Sequence, residues 1–172
     1  MLKRLFKPKP AQTAGQALYA RAVAQARTPA LYAELGAPDT PEGRFEIYSL
    51  HIYLLLERLK DQGEQAADTG QALFDTYVSA LDNSLREMAV GDLSVGKRMR
   101  KLGEAFYGRI KGYEAALAAL PDRAALEALT ARTVYAGAEA AQAPALAGYI
   151  VARRDALAAQ PLERLLVGEV AW

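Results

Sequence analysis

The chain contains no cysteine and a single histidine. Without cysteine there is no disulfide framework, thiolate zinc centre, cysteine nucleophile or cysteine-ligated cluster, a usage that suits a reducing compartment. The lone imidazole, His51, allows a Ser-His-Asp arrangement only if that residue is the base, and one chain cannot build a multi-histidine metal site from it. Strand signals are equally scarce, since no run of β-branched residues alternates with polar ones. Nor is there a stretch of the ~18 to 20 consecutive apolar residues that a membrane-spanning helix needs.

What the chain has in excess is alanine, 36 of 172 residues, which supplies helix propensity more than buried area. With 52% hydrophobic and 24% charged residues the balance is that of a globular domain. A chain of this length buries roughly two-thirds of its unfolded surface and needs no metal or disulfide to hold a core. The formal net charge of +1 hides a segregation. Residues 1–30 carry six basic and no acidic groups, residues 31–91 four basic and eleven acidic, and residues 92–113 six basic against Asp92 and Glu104. Such a distribution predicts surfaces of opposite character.

The opening, MLKRLFKPKP, sets Lys3, Arg4, Lys7 and Lys9 among Leu2, Leu5 and Phe6. It is too short and too charged for a secretory signal and reads as a flexible basic arm, residues 1–10, frayed or else touching anionic lipid or RNA. Residues 11–172 read as an all-α, single-domain bundle of about seven to eight helices. Thr13 with Gln16 makes a capping-box start for a helix ending at Arg27; Thr28-Pro29 starts a short one closed by Gly36; Thr40-Pro41-Glu42 starts a long one running to Gly63. This third helix, with Ile47, Leu50, Ile52, Leu54 and Leu55, is apolar nearly all round, as a central helix is.

A fourth helix is expected from Asp68 or Thr69 to Gly91, with Asp82 and Arg86 as i,i+4 partners on its polar face. A fifth, capped by Asp92 or Ser94, steps through Met99, Leu102, Phe106, Ile110, Tyr113 and Leu117 at intervals of three and four. Its opposite face carries Lys97, Arg100, Lys101, Glu104 and Lys111. Pro121-Asp122 divides it from a sixth helix closing near Gly137, and residues 145–160 and 162–170 form the last two.

Candidate chemistry is thin. Gly91 to Arg98 matches the spacing of a phosphate-binding P-loop as far as Lys97, but Arg98 stands where Ser or Thr would hold magnesium, and no buried strand precedes it. A helix-to-helix connection is expected instead, with Lys97 and Arg98 in the first helical turn as a docking point for phosphate. His51 shares the apolar face of Ile47, Leu50 and Leu54, where a hydrogen-bonded core imidazole is expected. Asp75, Asp82 and Glu87 read as a solvated face; no constellation points to catalysis, a metal or a cofactor. Phe106 and Tyr113 fit the buried stripe, leaving Tyr107 and Arg109 as the exposed pair on a basic helix that suits RNA.

The runs HIYLLLERLK and GQALFDTYVSALDNSLREMAVGDLSVGKRMRKLGEAFYGRIKGYEAAL resemble the ubiquinol-cytochrome c chaperone family. The likeness is strongest over 40–120 and most specific at DNSLREMAVGDLSVGKR (82–98) and AFYGR (105–109). It implies a non-enzymatic helical assembly factor of the cytochrome bc1 complex (complex III), which holds newly made cytochrome b. The mitochondrial members do so beside the ribosome, with a small helical partner protein. No cofactor and no DNA are implied. The expected client or partner surface is Asp82, Arg86, Glu87, Asp92, Lys97, Arg98, Phe106, Tyr107 and Arg109, with Asp82 and Arg86 exposed and Phe106 lining a groove. Lys3, Arg4, Lys7 and Lys9 are the expected membrane or anion contact. Lacking an organellar presequence, the chain is expected to be a bacterial cytoplasmic member, peripheral on the inner membrane. Two other readings stay open. One is a lipid- or quinone-binding protein with a largely apolar cavity of roughly several hundred Å3. The other is a ribosome-associated adaptor whose binding falls steeply with salt.

Overall fold

Proline opens the first helix: Pro10 has its φ fixed near the helical value and no N–H to lose, and α1 spans Pro10–Ala26. Thr13 therefore lies one turn inside the helix and does not cap it. The computed structural model describes residues 9–87, 92–136 and 140–172. Among them, α2 (Pro29–Ala33), α3 (Pro41–Leu59), α4 (Glu64–Glu87), α5 (Asp92–Ala118), α6 (Ala124–Thr133), α7 (Ala143–Ala158) and α8 (Leu162–Leu166) follow, with a 3-10 turn at Ala140–Gln142 and no strand. The all-α bundle is as the composition predicts.

Thr40 caps α3 as expected, its side chain accepting from Gly43 N at 3.1 Å. The far end differs from the sequence expectation. α3 stops at Leu59, Asp61 takes φ 58° and Gly63 φ 94°, and α4 begins at Glu64 instead of Asp68 or Thr69. Thr69 is buried inside α4, its hydroxyl donating to Gln65 O at 2.8 Å, a back-bond that a mid-helix threonine makes in place of a cap. Ser94 likewise lies inside α5. Asp122 does help start α6, accepting from Ala124 N at 2.9 Å. The expected ends at Gly91 and Gly137 lie outside the described residues.

α3 is the centre. Ile47, Leu50, Ile52, Leu54 and Leu55 are each at most 1% exposed, and α1, α4, α5 and α7 all pack around it. Each encircling helix, or the turn at its end, also takes a polar bond from α3. Ser49 shares a hydrogen bond of 2.7 Å with Tyr77 of α4, and Glu57 pairs with Arg154 of α7 at 2.8 Å. Tyr48 accepts from Arg27, just past α1, at 2.9 Å. Arg58 donates to the carbonyls of Leu157 and Gln160 at 3.1 Å each. Apolar burial drives the collapse, while these bonds fix register, because a buried polar atom left without its partner costs ~1 to 3 kcal/mol.

α1 meets α4 through small residues. Ala14, Gly15, Ala22 and Ala26 are buried, and a Cβ placed on Gly15 would stand 2.6 Å from Leu73 N and 2.7 Å from the Ala72 carbonyl carbon. Backbone cannot give way as a side chain can, so Gly15→Ala must push the two helices apart. The expected result is a loss of ~1 to 3 kcal/mol, read as a lowered midpoint in urea with an unchanged m-value.

Candidate functional site

His51, the only candidate base, is consumed by the core. It is fully buried. Its Nδ1 lies 2.8 Å from Ile47 O and its Nε2 2.8 Å from the Tyr149 hydroxyl. A carbonyl only accepts, so Nδ1 carries the proton, and burial lowers the imidazole pKa to about 4. The neutral ring therefore accepts from Tyr149 at Nε2, and Tyr149 accepts from Gln25 Nε2 at 2.9 Å. This chain ties α3 to α7 and α1, and Trp172 closes it edge-on at 5.1 Å between ring centroids. The core imidazole expected from the apolar face is what the structure contains.

The signature residues lie on α4 and α5, which run antiparallel: Phe74 stacks on Phe106 at 5.8 Å, and Tyr77 lies 5.1 Å from the same ring. Asp82 and Arg86 form the expected surface ion pair, 2.7 Å long. Glu87, Lys97 and Arg98 are exposed. The connection 88–91 and the Asp92 side chain lie outside the described residues, as do Lys3, Arg4 and Lys7; Lys9 is exposed at the N-cap of α1. Because α5 already begins at Asp92, Lys97 and Arg98 sit in its second turn and not its first. There they are removed from the unpaired N–H groups that would bind a phosphate.

Two residues of the expected surface prove to be supports. Phe106 is 2% exposed and lines no groove, since the aromatic residues of α4 cover it. Arg109 is turned inward, its Nε and Nη2 donating to the two carboxylate oxygens of Glu46 at 2.7 Å each. This fork-to-fork pair bolts α5 to α3, and the hydrogen bonds that Arg109 donates to Glu46 raise the guanidinium pKa further. Glu46, whose side chain is 9% exposed, is the functional support that sequence reasoning missed. The only signal was a lone carboxylate ahead of an otherwise apolar run. Tyr107, by contrast, is 57% exposed.

The surface that results is divided by charge. α4 presents Glu64, Asp68, Asp75 and the half-exposed Asp82 along one side, with Glu87 exposed at its end; α5 presents Lys97, Arg100, Lys101 and Lys111. A cleft of about 280 Å3 lies between α3, α4 and α5, floored by Leu56, Leu59, Ala66 and Ile110 and rimmed by Glu57, Lys60 and Glu114. Among the described residues no group of His, Asp and Glu is arranged to hold a metal, and no helix is long and apolar enough to cross a membrane.

An all-α bundle whose exposed charges are mostly acidic on α4 and basic on α5 presents surfaces suited to partners of opposite charge. The comparisons give the family. The chain belongs to the ubiquinol-cytochrome C chaperone family, whose model matches residues 33–172. The likeness thus extends beyond the 40–120 segment through the last three helices. Among solved structures it is similar to the Cbp3 homolog from Brucella abortus, at 38% identity and a TM-score of 0.87, covering 100% of this chain and 96% of that one. No curated protein matches it. Its family is one of chaperones for assembly of the bc1 complex.

Two outcomes follow from the buried polar groups. Glu46→Gln leaves the Arg109 guanidinium half-buried without its counter-charge and is expected to cost ~3 kcal/mol in denaturant melts. For His51 the folded pKa of about 4 lies below the unfolded value of 6.5, so the unfolded state binds more protons between them. Stability is then full above about pH 6.5 and falls as pH drops towards 4, by ~2 kcal/mol at pH 5. His51→Gln should have a lower melting temperature at pH 7.5 and a flatter decline from pH 7 to 5, measured by thermal melts across that range.

Proposed function

We propose that this chain is a non-enzymatic chaperone that holds newly made cytochrome b during assembly of the bc1 complex, working at the cytoplasmic face of the membrane. The client surface is the end of α4 and the beginning of α5: Asp82, Arg86 and Glu87 on one side, Lys97 and Arg98 on the other, with Asp92 between them in sequence. Phe106 and Arg109 position it from behind.

The observation that supports this reading is the run of carboxylates on α4, exposed at Glu64, Asp68, Asp75 and Glu87 and half-exposed at Asp82, whose last two members fall in the most specific part of the family signature. Loops of a membrane protein on the side where it is made carry an excess of Lys and Arg. An acidic row steers such loops into place and rejects acidic ones; the apolar cleft lies at the other end of the α4–α5 pair, between Ala66 and Ile110, and is no part of this surface. The basic residues at the start of α5 set orientation, since a loop presented backwards meets like charge. A small helical partner subunit and the ribosome belong to the same proposal, as contacts made elsewhere on the chain.

Arg86→Glu with Lys97→Glu is the first test, scored by assembled complex III in native gels from the host and by thermal melting of the purified variant. An exposed i,i+4 pair contributes only ~0.5 kcal/mol to a helix, so the melting temperature should move by no more than ~2 °C. Assembly should fall several-fold. Unchanged assembly, or a variant that fails to fold, contradicts the assignment of this surface.

A further inference from the structure

Beyond Lys97, which also borders the proposed client surface, the outer face of α5 carries charges that neither the fold nor the client uses. Lys97, Arg100, Lys101 and Lys111 are exposed, and none has an ion-pair partner among the described residues. They recur at intervals of three, four and ten residues along one side of a single helix, a strip about 21 Å long. Tyr107, 57% exposed, stands in the middle of it. Gly103 and Gly108 flank the tyrosine with open space where a Cβ would be. Together with Arg100, Glu104, Tyr107 and Lys111 they line a shallow trough of about 560 Å3. Glu104 is the single acid on the strip.

We propose that this strip is a docking face for the anionic phospholipid headgroups of a bilayer. Four unpaired cations with one opposing carboxylate give a net positive surface complementary to such headgroups, and tyrosine is the side chain that settles at the depth where headgroups meet acyl chains. The trough between Arg100 and Lys111 leaves room for a headgroup beside the ring. Single-stranded RNA, the other polyanion, is held by successive stacked aromatic rings; this face offers one exposed ring. The choice of lipid rests on reading the chain as a chaperone for a membrane complex. Laid on the bilayer by α5, the molecule would keep the acidic row of α4 beside the emerging loops of its client.

The test uses the full chain and vesicles containing no client, so that a negative result leaves the client reading standing. Co-sedimentation is measured with vesicles of phosphatidylcholine containing about one third phosphatidylglycerol, at ~0.1 M salt, and with phosphatidylcholine alone. Binding should require the anionic lipid. Each Lys or Arg is worth about a five-fold change in partitioning, so Arg100→Gln, Lys101→Gln and Lys111→Gln together should weaken it roughly a hundred-fold. Neutralising Lys3, Arg4, Lys7 and Lys9 instead should leave the strip's share intact. Because the chain has no cysteine, a second reading is direct: an environment-sensitive dye on Glu104→Cys should shift to the blue with anionic vesicles, and the same dye on Asp75→Cys should not. The proposal is overturned if the triple variant binds like the unaltered chain. It is also overturned if the arm variant alone abolishes binding, if the two dyes respond alike, or if the strip retains RNA oligomers and not vesicles.

Discussion

A helix apolar nearly all round has to be surrounded, and α3 is that helix. Its burial forces α1, α4, α5 and α7 to take positions around it, and apolar contact alone would let them slide. What prevents sliding is the set of polar atoms that α3 carries into the core: Glu46 towards Arg109, Ser49 towards Tyr77, His51 towards Tyr149. Each would be costly alone and is satisfied by one neighbour only, so the helices have one arrangement in which every bond is made. The position of the signature on α4 and α5 depends on these bolts.

The same economy separates structural from functional charge. Where a charged group of the signature is buried, as in the Glu46–Arg109 pair, it is matched and silent towards partners. Where charges are exposed they are mostly of one sign on each helix, acidic on α4 apart from Arg86 and basic on the outer strip of α5 apart from Glu104. Rows of one sign repel themselves and contribute little to folding, and an exposed ion pair such as Asp82–Arg86 contributes only a few tenths of a kcal/mol. The proposed function gives the acidic row a partner in the client's cationic loops, and the proposed lipid docking gives the basic row an anionic one.

Much of this was legible in the sequence. The helical class, the central role of the third helix, the buried state of His51 and the Asp82–Arg86 pair all follow from spacing and composition, because they depend on residues close together in the chain. Helix starts were less legible where a proline, Pro10, opened a helix that Thr13 was expected to cap, and where Gly63 set a boundary that Thr69 resembled. The supports of the candidate surface were not legible. Arg109 looks exposed from its own helix, and only the fold brings Glu46, 63 residues earlier, to meet it. Phe106 looks like either core or groove until Phe74 and Tyr77 are seen to cover it. Pairings at long sequence separation belong to the packing of α3 and leave no local pattern.

The central claim is that the α4–α5 end holds the client, and site-specific photo-crosslinking in the native host tests it most directly. A photoreactive residue is placed at Glu87 or Arg98, and for comparison at Glu163 on α8, with adducts identified by mass spectrometry. The account predicts cytochrome b adducts from positions 87 and 98 and none from 163. Equal adducts from all three positions, or cytochrome b captured from 163 alone, would contradict it.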